Sequence, residues 1–176
     1  LEDLSFVPYY VTSRQVEEGA LAEKRPRILI LPHAVALSDA EVAEIERFVR
    51  EGGVLIADVR PGIADGSCKL REAGALDHLF GVSRKTGEGE SARADVSVGG
   101  SWESAALKLN LDATTIEALD VDASVTATEG TALAESDAGP VCIVHEFGKG
   151  AAVLLNFSLD AYGSKPRGVG PPPLYE

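Results

Sequence analysis

The sequence has no methionine, one tryptophan and only two cysteines in 176 residues. Two cysteines as far apart as Cys68 and Cys142 exclude a disulfide framework and a zinc cluster. Cys142 sits in an apolar strand pattern and is expected to be a small buried hydrophobe. A single bridge between the two has no support in the sequence. Basic residues are also scarce: 16 Lys and Arg stand against 28 Asp and Glu, a net charge of −12. Such a surface repels nucleic acid and anionic lipid, so neither is expected as a partner. No apolar run approaches the roughly 18 residues of a membrane span, and no charged-then-apolar leader opens the chain. The compartment stays open. A chain that opens on Leu1 and has no methionine is expected to be a piece of something longer, which leaves room for chemistry elsewhere.

What is present is clearest between Arg27 and Arg60. Ile28 to Leu31 and Val54 to Ala57 are continuous apolar runs, as in strands covered on both faces. Between them Ser38 is placed to cap a helix, and Glu41 three residues on completes a capping box. Val42, Ile45, Phe48 and Val49 recur at helical spacing and make one apolar stripe. Gly52 and Gly53 end the helix. The stretch reads strand, helix, strand, the unit of a parallel sheet.

Around this unit the signals are weaker. Leu1 to Phe6 reads as a last helical turn, Val7 to Val11 as a short edge strand, and Ser13 to Leu21 as a short helix capped by Ser13. If that opening turn is real, a further parallel strand is expected upstream. Ala75 to Phe80 reads as a helical turn or two ended by Gly81. Ser83 to Ala92 is polar and aperiodic and is expected to be a mobile loop. Ala94 to Val98 and Ala106 to Leu111 alternate like strands, and Val121 to Thr128 and Thr131 to Leu133 are further short candidates. Val141 to Phe147 and Ala151 to Phe157, joined by Gly148-Lys149-Gly150, read as a hairpin. Trp102 is expected in the core, while Tyr9 and Tyr10 fit either core or interface. The tail is rich in proline and glycine. The expected organisation is a single α/β domain over residues 1–162, antiparallel and β-rich in its second half, followed by a linker or arm over 163–176.

In open parallel sheets ligands bind beyond the carboxyl ends of the strands. Pro32-His33 and Asp58-Val59-Arg60 follow two such ends, so His33, Asp58 and Arg60 are the candidate ligand-binding residues, with a carboxylate or a sugar as the ligand class. The plainer alternative is that Asp58 caps a neighbouring backbone turn and pairs with Arg60. No catalytic residue, metal ligand or cofactor is expected. The corner after the second strand is Arg60-Pro61-Gly62, without the serine or cysteine of a nucleophile elbow. Cys68 comes several residues too late, and His33, His78 and His145 never form a metal-binding pair.

The order of short motifs resembles a known group. Ile28-Leu-Ile-Leu-Pro32, Leu37-Ser-Asp-Ala-Glu41 and Phe48-Val-Arg-Glu-Gly-Gly53 are similar to the class I glutamine amidotransferase-like superfamily. More narrowly the chain resembles the trimerisation domain of bacterial family-42 β-galactosidases. Gly62-Ile-Ala-Asp65, Leu76-Asp-His-Leu-Phe-Gly-Val82 and Gly148-Lys-Gly-Ala-Ala-Val-Leu-Leu-Asn-Phe157 carry that likeness. The resemblance implies a three-layer, flavodoxin-like, mainly parallel sheet with helices on both faces. It also implies a domain that follows a (β/α)₈ barrel, contributes to a trimer and lacks the amidotransferase Cys-His-Glu set. The expected function is therefore non-catalytic assembly within a larger carbohydrate-active protein. Expected partners are the other domains of that protein and further copies of the chain. The alternatives are a ligand-binding or hydrolytic crevice at His33, Asp58 and Arg60, and a purely structural domain.

Overall fold

The computed structural model describes residues 7–85 and 91–158. The expected opening turn at Leu1 to Phe6, the centre of the loop before Ser91 and the tail from residue 163 lie outside the described residues. Val7 to Val11 forms no strand; its side chains include Val7, Tyr9 and Tyr10, all strongly exposed. Two short helices follow, α1 (Ser13–Glu17) and α2 (Ala20–Lys24), where the spacing predicts one. Gly19, at φ 90°, separates them, and the cap is Thr12, whose hydroxyl accepts from the Gln15 amide while Gln15 returns the bond.

The strand–helix–strand unit forms as the sequence predicts: β1 (Ile28–Leu31), α3 (Asp39–Arg50) and β2 (Val54–Ala57). Ser38 and Glu41 make the reciprocal capping box. Ile45, Phe48 and Val49 are buried, and Val42 packs against the same core. Since a cap of this kind satisfies an otherwise orphaned amide, Ser38→Ala is expected to cost about 1 kcal/mol of stability. Urea denaturation should show a lower midpoint at an unchanged m-value.

The remaining elements are α4 (Asp77–Phe80), β3 (Val82–Ser83), β4 (Ser91–Glu103), β5 (Lys108–Asp122), β6 (Thr126–Ala127), β7 (Thr131–Ser136), β8 (Gly139–Phe147) and β9 (Gly150–Leu155). They overturn the expected flavodoxin-like, mainly parallel three-layer fold. The main sheet has seven strands in the order β1-β2-β9-β8-β7-β4-β5, and only β1, β2 and β9 run parallel. The other pairings are antiparallel, and the sheet is a curled, mixed half-barrel. A single bridge from Val121 at the end of β5 to Phe157 beyond β9 shows how far it curls.

The physical reason lies in what covers each face. The helices pack on one side, where Leu29, Leu55, Ala57, Ala152 and Leu154 meet Leu21, Ile45, Val49 and Leu79. No second layer of helices covers the other side among the described residues. There the long β4–β5 ribbon supplies Val96, Leu119 and Val121 against Val141, Val144 and Val153. The ribbon was legible only as two short strands because bulges after Ala94 and Val98 interrupt its alternation. One consequence is that β1 is not covered on both faces: Ile28 and Ile30 remain 51% and 37% exposed.

Candidate functional site

β1 and β2 run in register, Leu31 beside Ala57, and deliver their carboxyl ends side by side. His33 and Asp58 follow directly. The His33 amide donates to Asp58 Oδ1 at 2.7 Å, and its ring Nδ1 stands 3.8 Å from Oδ2. Asp58 is buried, so this backbone bond helps to hold its carboxylate in place. Both His33 (φ 50°) and Arg60 (φ 59°) sit in the left-handed region, which costs a side-chain-bearing residue about 1–3 kcal/mol unless its surroundings hold it there.

Arg60 does not join them. Its Nε donates to Asp122 Oδ2 at 2.9 Å, across to the end of β5. The structure therefore brings His33 and Asp58 together and gives Arg60 a different partner. Of the plainer alternative, the cap by Asp58 on a backbone amide is present. The ion pair of Arg60 is made with Asp122.

Around Asp122 lies a buried polar group that sequence reasoning missed. Asp122, Asp77, Arg84 and Asn156 are all buried. Asp122 accepts from Arg60 and from the amide and hydroxyl of Ser124. Burial raises the pKa of its carboxyl, but these hydrogen bonds and the Arg60 charge outweigh that and hold it below the usual range. Arg84 Nε lies 2.7 Å from Asp77 Oδ1. Burial raises the Asp77 pKa, with the Arg84 charge opposing it, and burial lowers that of Arg84 against the pull of Asp77 and Asp122. Asn156 is fully buried and donates through Nδ2 to the carbonyls of Asp122 and Pro140. Of these residues only Asn156 left a trace in the sequence, as a polar residue between Leu155 and Phe157 in an apolar strand. Together they pin the open end of the β4–β5 ribbon to the carboxyl ends of β2 and β9.

The other groups singled out in the sequence stand apart. Cys68 is exposed and Cys142 buried, both as free thiols, and burial pushes the Cys142 thiol up to about 11. The His145 ring lies 3.0 Å from the Leu79 carbonyl, while His78 stands edge-on to Phe147. Among the described residues no group of three His, Cys, Asp or Glu side chains is arranged to hold a metal ion, and no helix is long and apolar enough to cross a membrane. Trp102 packs, half-buried, against the β-ribbon core.

The fold and these contacts define a helix-backed, curled β-sheet domain whose buried carboxylates are held by arginines or by backbone amides. The chain belongs to the beta-galactosidase trimerisation domain family, whose model matches residues 22–165. Among solved structures it is similar to a β-galactosidase from Bacillus circulans sp. alkalophilus, at TM-score 0.62 and 20% identity, over 81% of this chain and 21% of that one. A β-galactosidase from Rahnella sp. R3 matches at TM-score 0.57 and 19% identity, over 74% of this chain and 20% of that one. A cytoplasmic protein of Salmonella typhimurium LT2 matches at TM-score 0.57 and 13% identity, over 86% of this chain and 70% of that one. At these identities the likenesses show the fold alone. The chain spans about a fifth of the length of the galactosidases it matches. None of these relatives is named as an amidotransferase. A search of curated protein sequences found no match.

Proposed function

We propose that this chain is a non-catalytic assembly domain of a larger, β-galactosidase-like glycoside hydrolase, and that it joins copies of that protein into a trimer. The family match over residues 22–165 carries the reading. The contacts at the strand ends agree with it: Asp58 is held by the His33 amide and Arg60 by Asp122, so the two charged groups best placed to hold a ligand are already engaged. The Salmonella likeness, in which the fold fills most of another chain, supports separating the fold from galactosidase chemistry. The trimer comes from the family's name, and the galactosidase context from the family and the structural neighbours.

A specific interface buries on the order of 800 Å² per partner, so its loss is easily seen as a change in mass. The full chain is expected to sediment as a trimer that dissociates on dilution. A strict monomer at about 100 µM, where even a weak micromolar contact is well populated, would count against assembly through this domain.

A further inference from the structure

A wide cleft opens at the amino ends of the parallel strands, the opposite end from His33 and Asp58. It measures about 900 Å³ and runs between α2, the end of α3, the Gly52-Gly53 and Lys149 turns, and the tip of the β4–β5 ribbon. Its lining is about half apolar and half polar, with Leu21, Phe48, Leu107 and the half-exposed Ile28 among the apolar residues.

Its charge is unlike that of the rest of the molecule. Five of the chain's 16 cationic side chains line it, against two acids, Glu44 and Glu51, in a chain of net charge −12. Arg47 pairs with Glu44, and Lys108 with Glu103. Arg25, Arg27 and Lys149 are exposed and make no ion pair among the described residues. Arg25 also holds a left-handed backbone, φ 48°, as the C-cap of α2. Elsewhere Asp112, Asp120, Glu135 and Asp137 are exposed acids that make no ion pair among the described residues.

We infer that this cleft is the socket for an acidic segment of a second copy of the chain. The inference rests on the assembly reading and adds the surface to it. A three-fold ring is built from heterologous contacts, in which one patch meets a different patch on the next copy. Such a ring needs a receiving surface and an inserted one, and complementary charge steers the two together. A lining that is half apolar and carries exposed cations fits a protein segment with an apolar anchor and acidic flanks. A small carboxylate would meet the charge and leave the apolar half in water.

The test uses the full chain and the triple variant Arg25→Asn, Arg27→Gln, Lys149→Gln. Asparagine tolerates the left-handed backbone at position 25, and all three side chains are exposed, so thermal melting should be unchanged. The variant should associate at least about tenfold more weakly, and raising salt from about 50 to 500 mM should weaken the wild type by a similar factor. Carbodiimide coupling in a mixture of isotope-labelled and unlabelled chains should link Lys149 or Lys108 to an acid of a differently labelled copy. A variant that assembles like the wild type would overturn the socket and leave the assembly reading standing. So would lysine crosslinks found only within one chain, as an occupant from the same polypeptide gives. A wild type that stays monomeric at about 100 µM would overturn both.

Discussion

Replacing Gly150 by alanine is expected to destabilise the domain by roughly 4 kcal/mol, near the upper end of what single substitutions cost. A Cβ at this position would stand 2.1 Å from the carbonyl oxygen of Val49 and 2.3 Å from that of Gly53. Both are backbone atoms, in the last turn of α3 and the turn that follows, and neither can swing aside as a side chain would. The approach is close because the Gly148-Lys149-Gly150 turn serves two elements. It joins β8 to β9, and it satisfies the end of α3, since the Lys149 amide donates to the Arg50 carbonyl at 3.0 Å. Gly148, at φ 63°, is also crowded, though less so, with a notional Cβ 2.8 Å from Arg50 Cα and O. For a domain of this size the loss corresponds to a fall in Tm of about 10 °C. Gly99→Ala is the control: its Cβ would meet Ala113 at an ordinary 3.4 Å. That variant should change stability by less than about 1 kcal/mol. Paired urea and thermal melts of the two variants check the prediction, and equal stabilities would refute it.

The same turn shows what the sequence could and could not convey. A Gly-x-Gly between two apolar runs is a local signal for a hairpin, and the hairpin is there. That both glycines are also required by a helix roughly a hundred residues earlier is a tertiary fact with no local trace. The α3 unit was legible because cap, stripe and stop all lie within one stretch of chain and agree. The sheet was misread because Ile28-Leu-Ile-Leu31 looks the same whether a second layer covers it or not. Half-exposed Ile28 and Ile30 show that here it is only partly covered. The long ribbon that replaces the expected helices was hidden by its own irregularities: Gly99 and Gly100 fall at a bulge, and Gly100 adopts φ 134°. At the strand ends His33 comes next to Asp58 because both follow directly from adjacent strands, a closeness the sequence can convey. The sequence could not show that Arg60 reaches Asp122, 62 positions on.

Removing Asp77 alone should cost about 3–5 kcal/mol, because it strands a buried cation. The Arg84 side chain is 1% exposed and its close ionic partner is Asp77, 2.7 Å away. Its Nη1 and Nη2 atoms make no hydrogen bond among the described residues. Water cannot compensate for the lost carboxylate at such a site, and Asp122 is already engaged by Arg60 and Ser124. The pair is nevertheless not a large net source of stability, since burial works against both charges. A buried ion pair exchanged as a whole for apolar groups is often neutral or better. The expected pattern is therefore sharply non-additive. Asp77→Ala and Arg84→Met each destabilise strongly. The double variant recovers most of the loss, to within about 1–2 kcal/mol of the parent. A double-mutant cycle by urea denaturation reads this directly, and additive losses would show that the two charges do not depend on each other. The position of the pair makes the outcome matter for assembly. Asp77 belongs to α4, and Arg84 lies in the chain leading to β4, so the pair ties the helical layer to the root of the ribbon. The tip of that ribbon forms one wall of the cationic cleft. The single variants should therefore weaken self-association as well as folding, and the double variant should restore both together.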